Sequence, residues 1–308
     1  MSTTKALRRS PAAANPRTRV TASVLLALLG VGAVVVALLG PLGIGWIDYH
    51  VSAGATDQVR GGDVAGLVLV GPSALAAAWL MARERPGAGA LALAPASYGL
   101  YMYTQLAISG DLVRYDGNSE RWFVLFWALV TACGAILVLA GAQLLRDPEP
   151  APRPRLERIT GAYLLAVAAF LTLGLHLPGL ADAWRESPTN EEYLADPTVF
   201  WVVKLMDLGY FVPIVVAVGA GLLGGHGWAR RVLAPAVGWS ALLGCSVAGM
   251  GLTMLATGAA GASLGLAVGF TVVALLALGL AVAAYVPVIA SDDGQTSRDD
   301  SGRGRGDR

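Results

Sequence analysis

Residues 200–213 read FWVVKLMDLGYFVP and lie in an apolar run that is long enough to cross a bilayer. This run carries Lys204 and, three residues later, Asp207. A charged side chain at the centre of a bilayer costs roughly 3 to more than 10 kcal/mol, so charges at this depth are rare and mark functional positions. These are the only two charged residues well inside an apolar run. The stretch therefore predicts a membrane protein and locates its most unusual side chains.

The composition indicates a chain that is solvated by lipid. Of the 308 residues, 55% are apolar and only 14% are charged, with a mean hydropathy of +0.60, whereas soluble domains have about 25% charged residues. The net charge of +1 gives no reason to expect a nucleic-acid partner. Cys133 and Cys245 lie in apolar runs without metal-ligand spacing, which is typical of small buried hydrophobic residues. We therefore predict contact with the lipid bilayer, and neither a metal site nor a cofactor.

Eight apolar runs divide the chain. Each is near or above the ~20 residues that a helix needs to cross the hydrocarbon core. Only helices and closed barrels satisfy their backbone groups in lipid, and the runs lack the period-two alternation of barrel strands. We therefore predict an all-α fold, a polytopic membrane helix bundle with eight transmembrane helices. The runs are Val20–Gly43, Asp63–Met81, Ala88–Ser109, Trp122–Leu145, Thr160–Ala181, Thr198–Gly224, Val232–Ala256 and Ser263–Ile289.

Loop charge predicts the orientation. If the N-terminus is cytoplasmic, 17 of the 22 Lys and Arg residues fall on the cytoplasmic side, as the positive-inside rule requires. We therefore predict a protein of the cytoplasmic membrane with both termini in the cytoplasm. Residues 1–19 form a disordered basic N-terminus, residues 20–290 the transmembrane domain and residues 291–308 a disordered tail. Residues 52–55 are a conceivable cleavage site, but the first run is longer than a signal-peptide core, which favours an uncleaved span.

Short matches between the two halves suggest a tandem duplication of four helices. Leu-Ala-Pro-Ala occurs at residues 93–96 and again at 233–236. Pro72 and Pro95 are 23 residues apart, and Pro213 and Pro235 are 22 apart. Many transporters are built from such repeats, with a site where the repeats meet. The duplication would pair Asp207 with Asp63, although an Ala/Gly/Leu-rich chain also produces short matches by chance.

The unusual polar side chains collect on the predicted outer side of the membrane. We interpret them as an outward-facing polar pocket, since a pore would need polar groups at inner depths as well. The predicted pocket residues are Lys204, Asp207 and Tyr210 of the sixth run, Tyr98, Tyr101 and Gln105 of the third, His176 of the fifth and Asp63 of the second. An aromatic belt at the outer interface is an equally good explanation of the tyrosines.

Lys204 and Asp207 share one helical face, where each can keep its charge by pairing with the other. Two interpretations stay open. Lys204 can extend to the interface while Asp207 bonds a neighbouring helix as structural support. Alternatively, Asp207 binds a ligand cation or a proton, with Lys204 as its gate or counter-charge. Asp207 should then face the bundle interior near Tyr101 or His176, and Pro213 should free a carbonyl around Gly209.

Soluble catalytic modules are not indicated by the sequence. It contains no P-loop, no HExxH and no CxxC, and its loops are too short for a kinase, an ATPase or a DNA-binding module. We therefore expect no enzyme. The leading hypothesis is a transporter of a small molecule or an ion, and the alternative is a non-catalytic accessory or sensory membrane subunit with a structural Lys-Asp pair.

Several short motifs resemble a group of uncharacterised eight-span membrane proteins of high-GC bacteria. They are Asp63 with Pro72, residues 78–83, the Ser-Tyr-Gly-Leu-Tyr-Met-Tyr of residues 97–103, the Gly-Asn-Ser-Glu-Arg of residues 117–121, and residues 204–213. The resemblance covers most of the second, third, fourth and sixth runs. It implies an integral membrane protein and no particular activity.

Overall fold

The computed structural model describes residues 16–259 and 261–290, and within them the chain is helical with no strand. The prediction of an all-α fold is confirmed. The predicted disordered N-terminus is four residues too long, because the first helix begins at Pro16; residues 1–15 and 291–308 lie outside the described residues. The long helices are α1 Pro16–Leu39, α2 Ala53–Ala82, α3 Ala88–Ile108, α4 Phe123–Arg146, α5 Pro154–Ala183, α6 Pro197–Leu223, α7 Gly227–Thr257 and α8 Leu264–Ala290.

Seven of these helices, all except α3, are long and apolar enough to cross a membrane. The length and apolar composition of these helices therefore indicate a multi-pass membrane protein. α3 has 21 residues, but its second half carries three tyrosines, Thr104 and Gln105, which lower its hydropathy. The predicted count of eight spans is thus not confirmed. α3 nevertheless packs along α2, α4 and α7 inside the bundle.

Each long helix packs along its neighbour in sequence, in the pairs α1–α2, α3–α4, α5–α6 and α7–α8. α7 lies at the centre, against both α2 and α3. Small residues permit close approach where α2 meets α7, because a Cβ placed on Gly61 would lie 2.3 Å from the backbone nitrogen of Met250. Apolar helices gain little hydrophobic energy from each other in lipid, so such close backbone packing supplies much of their attraction.

Three helices contain a π-helical turn, and each turn ends two residues before a proline. The turns are Gly66–Val70 before Pro72 in α2, Phe170–His176 before Pro178 in α5, and Asp207–Phe211 before Pro213 in α6. Proline removes a backbone N–H and its ring clashes with the carbonyl four residues earlier. Widening the preceding turn relieves this clash and leaves carbonyls outside the regular ladder. The predicted perturbation around Gly209 is therefore present as a π turn.

α2 begins ten residues earlier than the second apolar run. Thr56, Asp57 and Arg60 lower the hydropathy of its first turns, yet the side chain of Ser52 caps the helix by accepting a bond from the backbone N–H of Ala55 at 3.2 Å. Ser, Thr, Asp and Asn are the residues that commonly cap the start of a helix in this way. Asp63, where the second apolar run begins, therefore lies ten residues inside α2 rather than at its start.

Loops 40–52, 109–118 and 184–196 meet at one end of the bundle, which we call the polar end, and Gly261 in the connection between α7 and α8 lies beside Glu191 there. A five-residue helix, Glu191–Ala195, lies in the third of these loops. Tyr115 donates to the carbonyl of Ala195 at 2.8 Å, and the carboxylate of Asp196 accepts from the backbone N–H of Ser52 at 2.8 Å and from its hydroxyl. These bonds join the first half of the chain to the second at this end.

Candidate functional site at Asp207

The carboxylate of Asp207 is held by side chains from two other helices. Its Oδ1 accepts a hydrogen bond of 2.7 Å from the hydroxyl of Tyr101 on α3. Its Oδ2 lies 2.8 Å from Nε2 of His176 on α5. The expectation that Asp207 faces Tyr101 or His176 is confirmed, and both residues contact it. We call these three residues the Asp207 site.

Backbone irregularities place two of these side chains. Asp207 is the first residue of the π turn in α6, and His176 is the last residue of the π turn in α5. α5 and α6 approach closely, since a Cβ on Gly161 would lie 2.9 Å from the carbonyl oxygen of Gly219. Insertions of this type recur at functional positions, where they turn a side chain away from the regular helical face.

Lys204 does not pair with Asp207, and this expectation is wrong. Its Nζ lies 3.2 Å from Oε2 of Glu192 on the five-residue helix and 3.8 Å from the ring centre of Phe200. The residue is only 5% exposed, and its stem lies beside Gly179 of α5. The lysine charge is therefore balanced from the polar end, one turn away from Asp207.

Lys204 and Asp207 thus have separate partners. Lys204 is paired with Glu192, while Asp207 is contacted by a tyrosine and by a histidine. His176 is 1% exposed, and its Nδ1 is buried without a hydrogen-bond partner. Nε2 is therefore the ring atom through which His176 is held in the bundle, and Asp207 is its partner.

Asp63 forms a second, separate buried carboxylate. It is 7% exposed, and its Oδ2 is buried without a hydrogen-bond partner. A cavity of about 20 Å³ adjoins it, lined also by Tyr98 and Tyr103. The hydroxyl of Tyr98 donates to Ser246 of α7 at 3.2 Å rather than to either carboxylate. We call this region the Asp63 cavity.

The structure does not gather the other predicted pocket residues around Asp207. Tyr210 is 55% exposed and faces out of the bundle, and Gln105 is half-buried. The predicted pocket is thus divided: Tyr101 and His176 join Asp207, Tyr98 belongs with Asp63, and Lys204 joins Glu192. A wider hollow of about 460 Å³ lies at the polar end and is lined by Gly45, Trp46, Asn118, Arg121 and Trp122.

Sequence reasoning missed two polar contacts and one motif. Glu192 was not predicted to balance Lys204, although an acid beside a capping Asn190 is a signal of a helix start. The bond of Ser246 to Tyr98 had no signal in the sequence. Residues 261–265 also match GxSxG, a motif that needs a strand before its serine. Here the serine, Ser263, begins α8 by accepting from the backbone N–H of Leu266 at 3.4 Å.

Within the residues that the structure describes, no three His, Cys, Asp or Glu side chains are grouped to hold a metal ion. Asp207 and His176 supply only two ligands, fewer than the three protein ligands of a catalytic zinc site. No family model matches the chain, and neither a curated protein nor a solved structure does. Function is therefore inferred from the geometry of the Asp207 site.

Proposed function

We propose that the protein transports a small molecule or an ion, and that Asp207 binds the cation or proton that accompanies the transported species. One observation carries the proposal. A carboxylate among apolar helices, only 16% exposed, is hydrogen-bonded by side chains of two other helices, while the nearby lysine is already paired with Glu192. Acidic side chains among membrane helices are rare and mark functional positions.

Such an arrangement suits reversible cation binding. Electrostatic attraction is strong where the effective dielectric constant is low, so a carboxylate in this position attracts a positive charge. Tyr101 and His176 can reorient or exchange a proton with Asp207, and they belong to different helices from it. Occupation of the site therefore changes the contacts among α3, α5 and α6, which is what coupling of binding to helix movement requires.

Ligand screening on the purified protein tests this proposal. We expect a panel of small molecules and ions to include one that raises the melting temperature of the wild type but not of Asp207→Asn. Tyr210→Phe, a change on the same helix at an exposed position, should respond as the wild type does. The ligand should then be taken up by proteoliposomes in a manner that depends on a proton or cation gradient. A ligand that stabilises Asp207→Asn equally would contradict the assignment.

The alternative, an accessory or sensory subunit, is favoured by a different observation. Both oxygens of Asp207 already have partners, as expected of structural support. This alternative predicts that Asp207→Asn and His176→Gln both lower the free energy of unfolding. The loss should be larger for the substitution that removes more hydrogen bonds. It predicts no ligand response in either the wild type or the variants.

We also propose that α3 crosses the membrane, which gives eight spans in the cytoplasmic membrane with both termini in the cytoplasm. Its 21 residues correspond to about 30 Å of helix, enough for the hydrocarbon core. Its less apolar side chains are sheltered by α2, α4 and α7. Reporter fusions at both termini test the count, because seven spans would place the termini on opposite sides.

A duplication of four helices is likewise our proposal. The π turns of α2 and α6 begin at Gly66 and Asp207, 141 residues apart, and the prolines that follow them, Pro72 and Pro213, have the same separation. α3 and α7, which carry the two Leu-Ala-Pro-Ala segments, pack against each other at the centre. This arrangement agrees with two repeats that meet along their third helices.

A further inference from the structure

The carboxylate of Asp63 lies inside the bundle without a balancing charge. The side chain is 7% exposed, and its Oδ2 has no hydrogen-bond partner. Among the described residues no Lys, Arg or His forms an ion pair with it. A buried ionised carboxylate without compensation is strongly unfavourable. Something else must therefore neutralise it.

The charged and titratable groups around Asp63 are either engaged or neutral. Toward the polar end of the same helix, Asp57 is paired with Arg60 at 2.6 Å and accepts from the hydroxyl of Thr257 at 2.8 Å. Tyr49, which follows α1, has a buried hydroxyl without a partner. On α3, Tyr98 is bonded to Ser246, as described above, and Tyr103 lines the cavity. No cationic side chain lines the cavity.

The cavity has the size of a single small guest. Its volume of about 20 Å³ exceeds the roughly 10–15 Å³ that one water molecule requires. Residues of three helices line it, and its remaining lining residues are Ala33, Val36, Val59, Gly62, Gly66, Met102 and Leu106. Gly62 and Gly66 present backbone without a side chain. The cavity has too few oxygen atoms for Ca²⁺, which takes six to eight oxygen ligands.

We propose that the Asp63 cavity binds one monovalent cation against Oδ2 of Asp63, either Na⁺ or a proton held with a water molecule. Both neutralise the carboxylate, and both fit a space of this size. Tyr98 and Tyr103 line the cavity from α3, and their hydroxyl groups are candidate oxygen ligands. This site is separate from the Asp207 site and does not depend on the function proposed for it.

Thermal unfolding of the full chain in detergent tests the proposal. Melting temperatures are measured while NaCl replaces choline chloride at constant ionic strength and pH, for the wild type, Asp63→Asn and Asp116→Asn. Asp116 is an exposed carboxylate, so its variant controls for the loss of one negative charge. Ligands that bind only the folded state stabilise it by mass action. We expect Na⁺ to raise the melting temperature of the wild type and of Asp116→Asn by at least about 2 °C, and not that of Asp63→Asn.

A pH series in the sodium-free buffer separates the two cations. If the guest is a proton, lowering the pH should stabilise the wild type more than Asp63→Asn, and Na⁺ should have no effect. The proposal is overturned if the wild type and Asp63→Asn respond identically to both Na⁺ and pH, since the cavity then holds only neutral water. Asp207→Asn should keep the wild-type response, which distinguishes failure here from failure of the proposed transport.

Tyr103→Phe gives a second route if Asp63→Asn does not fold. It keeps the carboxylate and removes one candidate oxygen ligand. We expect this variant to need a several-fold higher Na⁺ concentration than the wild type to reach half of the maximal rise in melting temperature. If the guest is a proton, the midpoint of the pH series should shift instead. Unchanged midpoints in this variant would overturn the proposal.

Discussion

Asp207 and Asp63 are two carboxylates inside the bundle, in similar positions along their helices and with opposite surroundings. Each lies ten residues after the start of its helix, α6 or α2, about 15 Å along the axis, and each helix then has a π turn and a proline. Asp207 is bonded by Tyr101 and His176. Asp63 has an unpaired oxygen and a cavity instead. Depth and charge alone therefore do not determine what a membrane carboxylate does; the donors on neighbouring helices do.

The comparison also changes how the two halves are aligned. Counting from the helix starts pairs Asp63 with Asp207. The π turns and prolines, which are 141 residues apart, pair Asp63 with Lys204 instead. On this second alignment a repeat position carries an anion in one half and a cation in the other. The expected pairing of Asp63 with Asp207 is therefore not supported by the π turns.

The largest expected effect separates the two carboxylates directly. Asp207→Leu leaves Tyr101 and His176 without their acceptor, and we expect it to lower the free energy of unfolding by about 1–3 kcal/mol for each orphaned donor. Asp63→Leu removes a carboxylate whose Oδ2 has no partner and which accepts one backbone bond, from Leu42, so in sodium-free buffer we expect a smaller loss, of about 1 kcal/mol. Unfolding by SDS titration in mixed micelles measures both. Equal losses in the two variants would show that the carboxylates are held alike.

The next effect concerns the close contact of α2 with α7, beside Asp63. A Cβ on Gly61 would lie 2.3 Å from the backbone nitrogen of Met250, so Gly61→Ala must separate the two helices. Overpacking typically costs about 1–3 kcal/mol. Gly279→Ala, at a helical position with nothing within 4 Å, is the matched control and should be neutral or slightly stabilising. The same SDS titration measures both variants. If Gly61→Ala is as stable as the wild type, the contact between α2 and α7 is looser than the structure shows.

A smaller effect compares the tyrosines of the two regions. Tyr101→Phe removes a donor to Asp207 and should cost about 0.6–1.7 kcal/mol, the range for hydrogen bonds between membrane helices. Tyr98→Phe removes only the longer bond to Ser246, which is 3.2 Å, and should cost less. If Tyr98→Phe is the more destabilising variant, the Asp63 region is held by its tyrosine more than the geometry suggests.

The smallest effect is a pH dependence at the polar end. Nδ1 of His50 lies 2.8 Å from the carbonyl of Tyr115, and Nε2 lies 2.7 Å from the carboxylate of Glu120. The bond to Glu120, helped by that to Tyr115, raises the pKa of His50. The stabilisation is complete below the unfolded pKa of about 6.5 and is lost as the pH rises through the higher folded pKa. We expect protonated His50 to contribute less than about 1 kcal/mol to the free energy of unfolding.

Melting temperatures of the wild type and His50→Gln across this pH range measure that contribution. The difference between them should shrink as the pH rises. His226→Gln is the control, because His226 is exposed at a loop outside the polar end. A pH-independent difference for His50→Gln would mean that the histidine acts only through packing.

The sequence predicted the membrane helices well because hydropathy measures the property that lipid selects. It failed at the start of α2, where Asp57 and Arg60 are polar but paired with each other. It could place Asp207 beside Tyr101 and His176, because only buried positions on facing helices could satisfy an acid in lipid. It could not show that Lys204 binds Glu192, because that contact crosses from a helix to a loop whose path the sequence does not determine.

The π turns of α2, α5 and α6 have a mechanical consequence. A π turn holds one residue more than the regular spiral, and proline leaves the ladder beside it one bond short. Each of these helices is therefore two regular segments joined at a hinge, whereas the long α7 contains Pro235 but no π turn. Bending of the helices is therefore expected at these three hinges. Two of them are the turns that begin at Asp207 and end at His176.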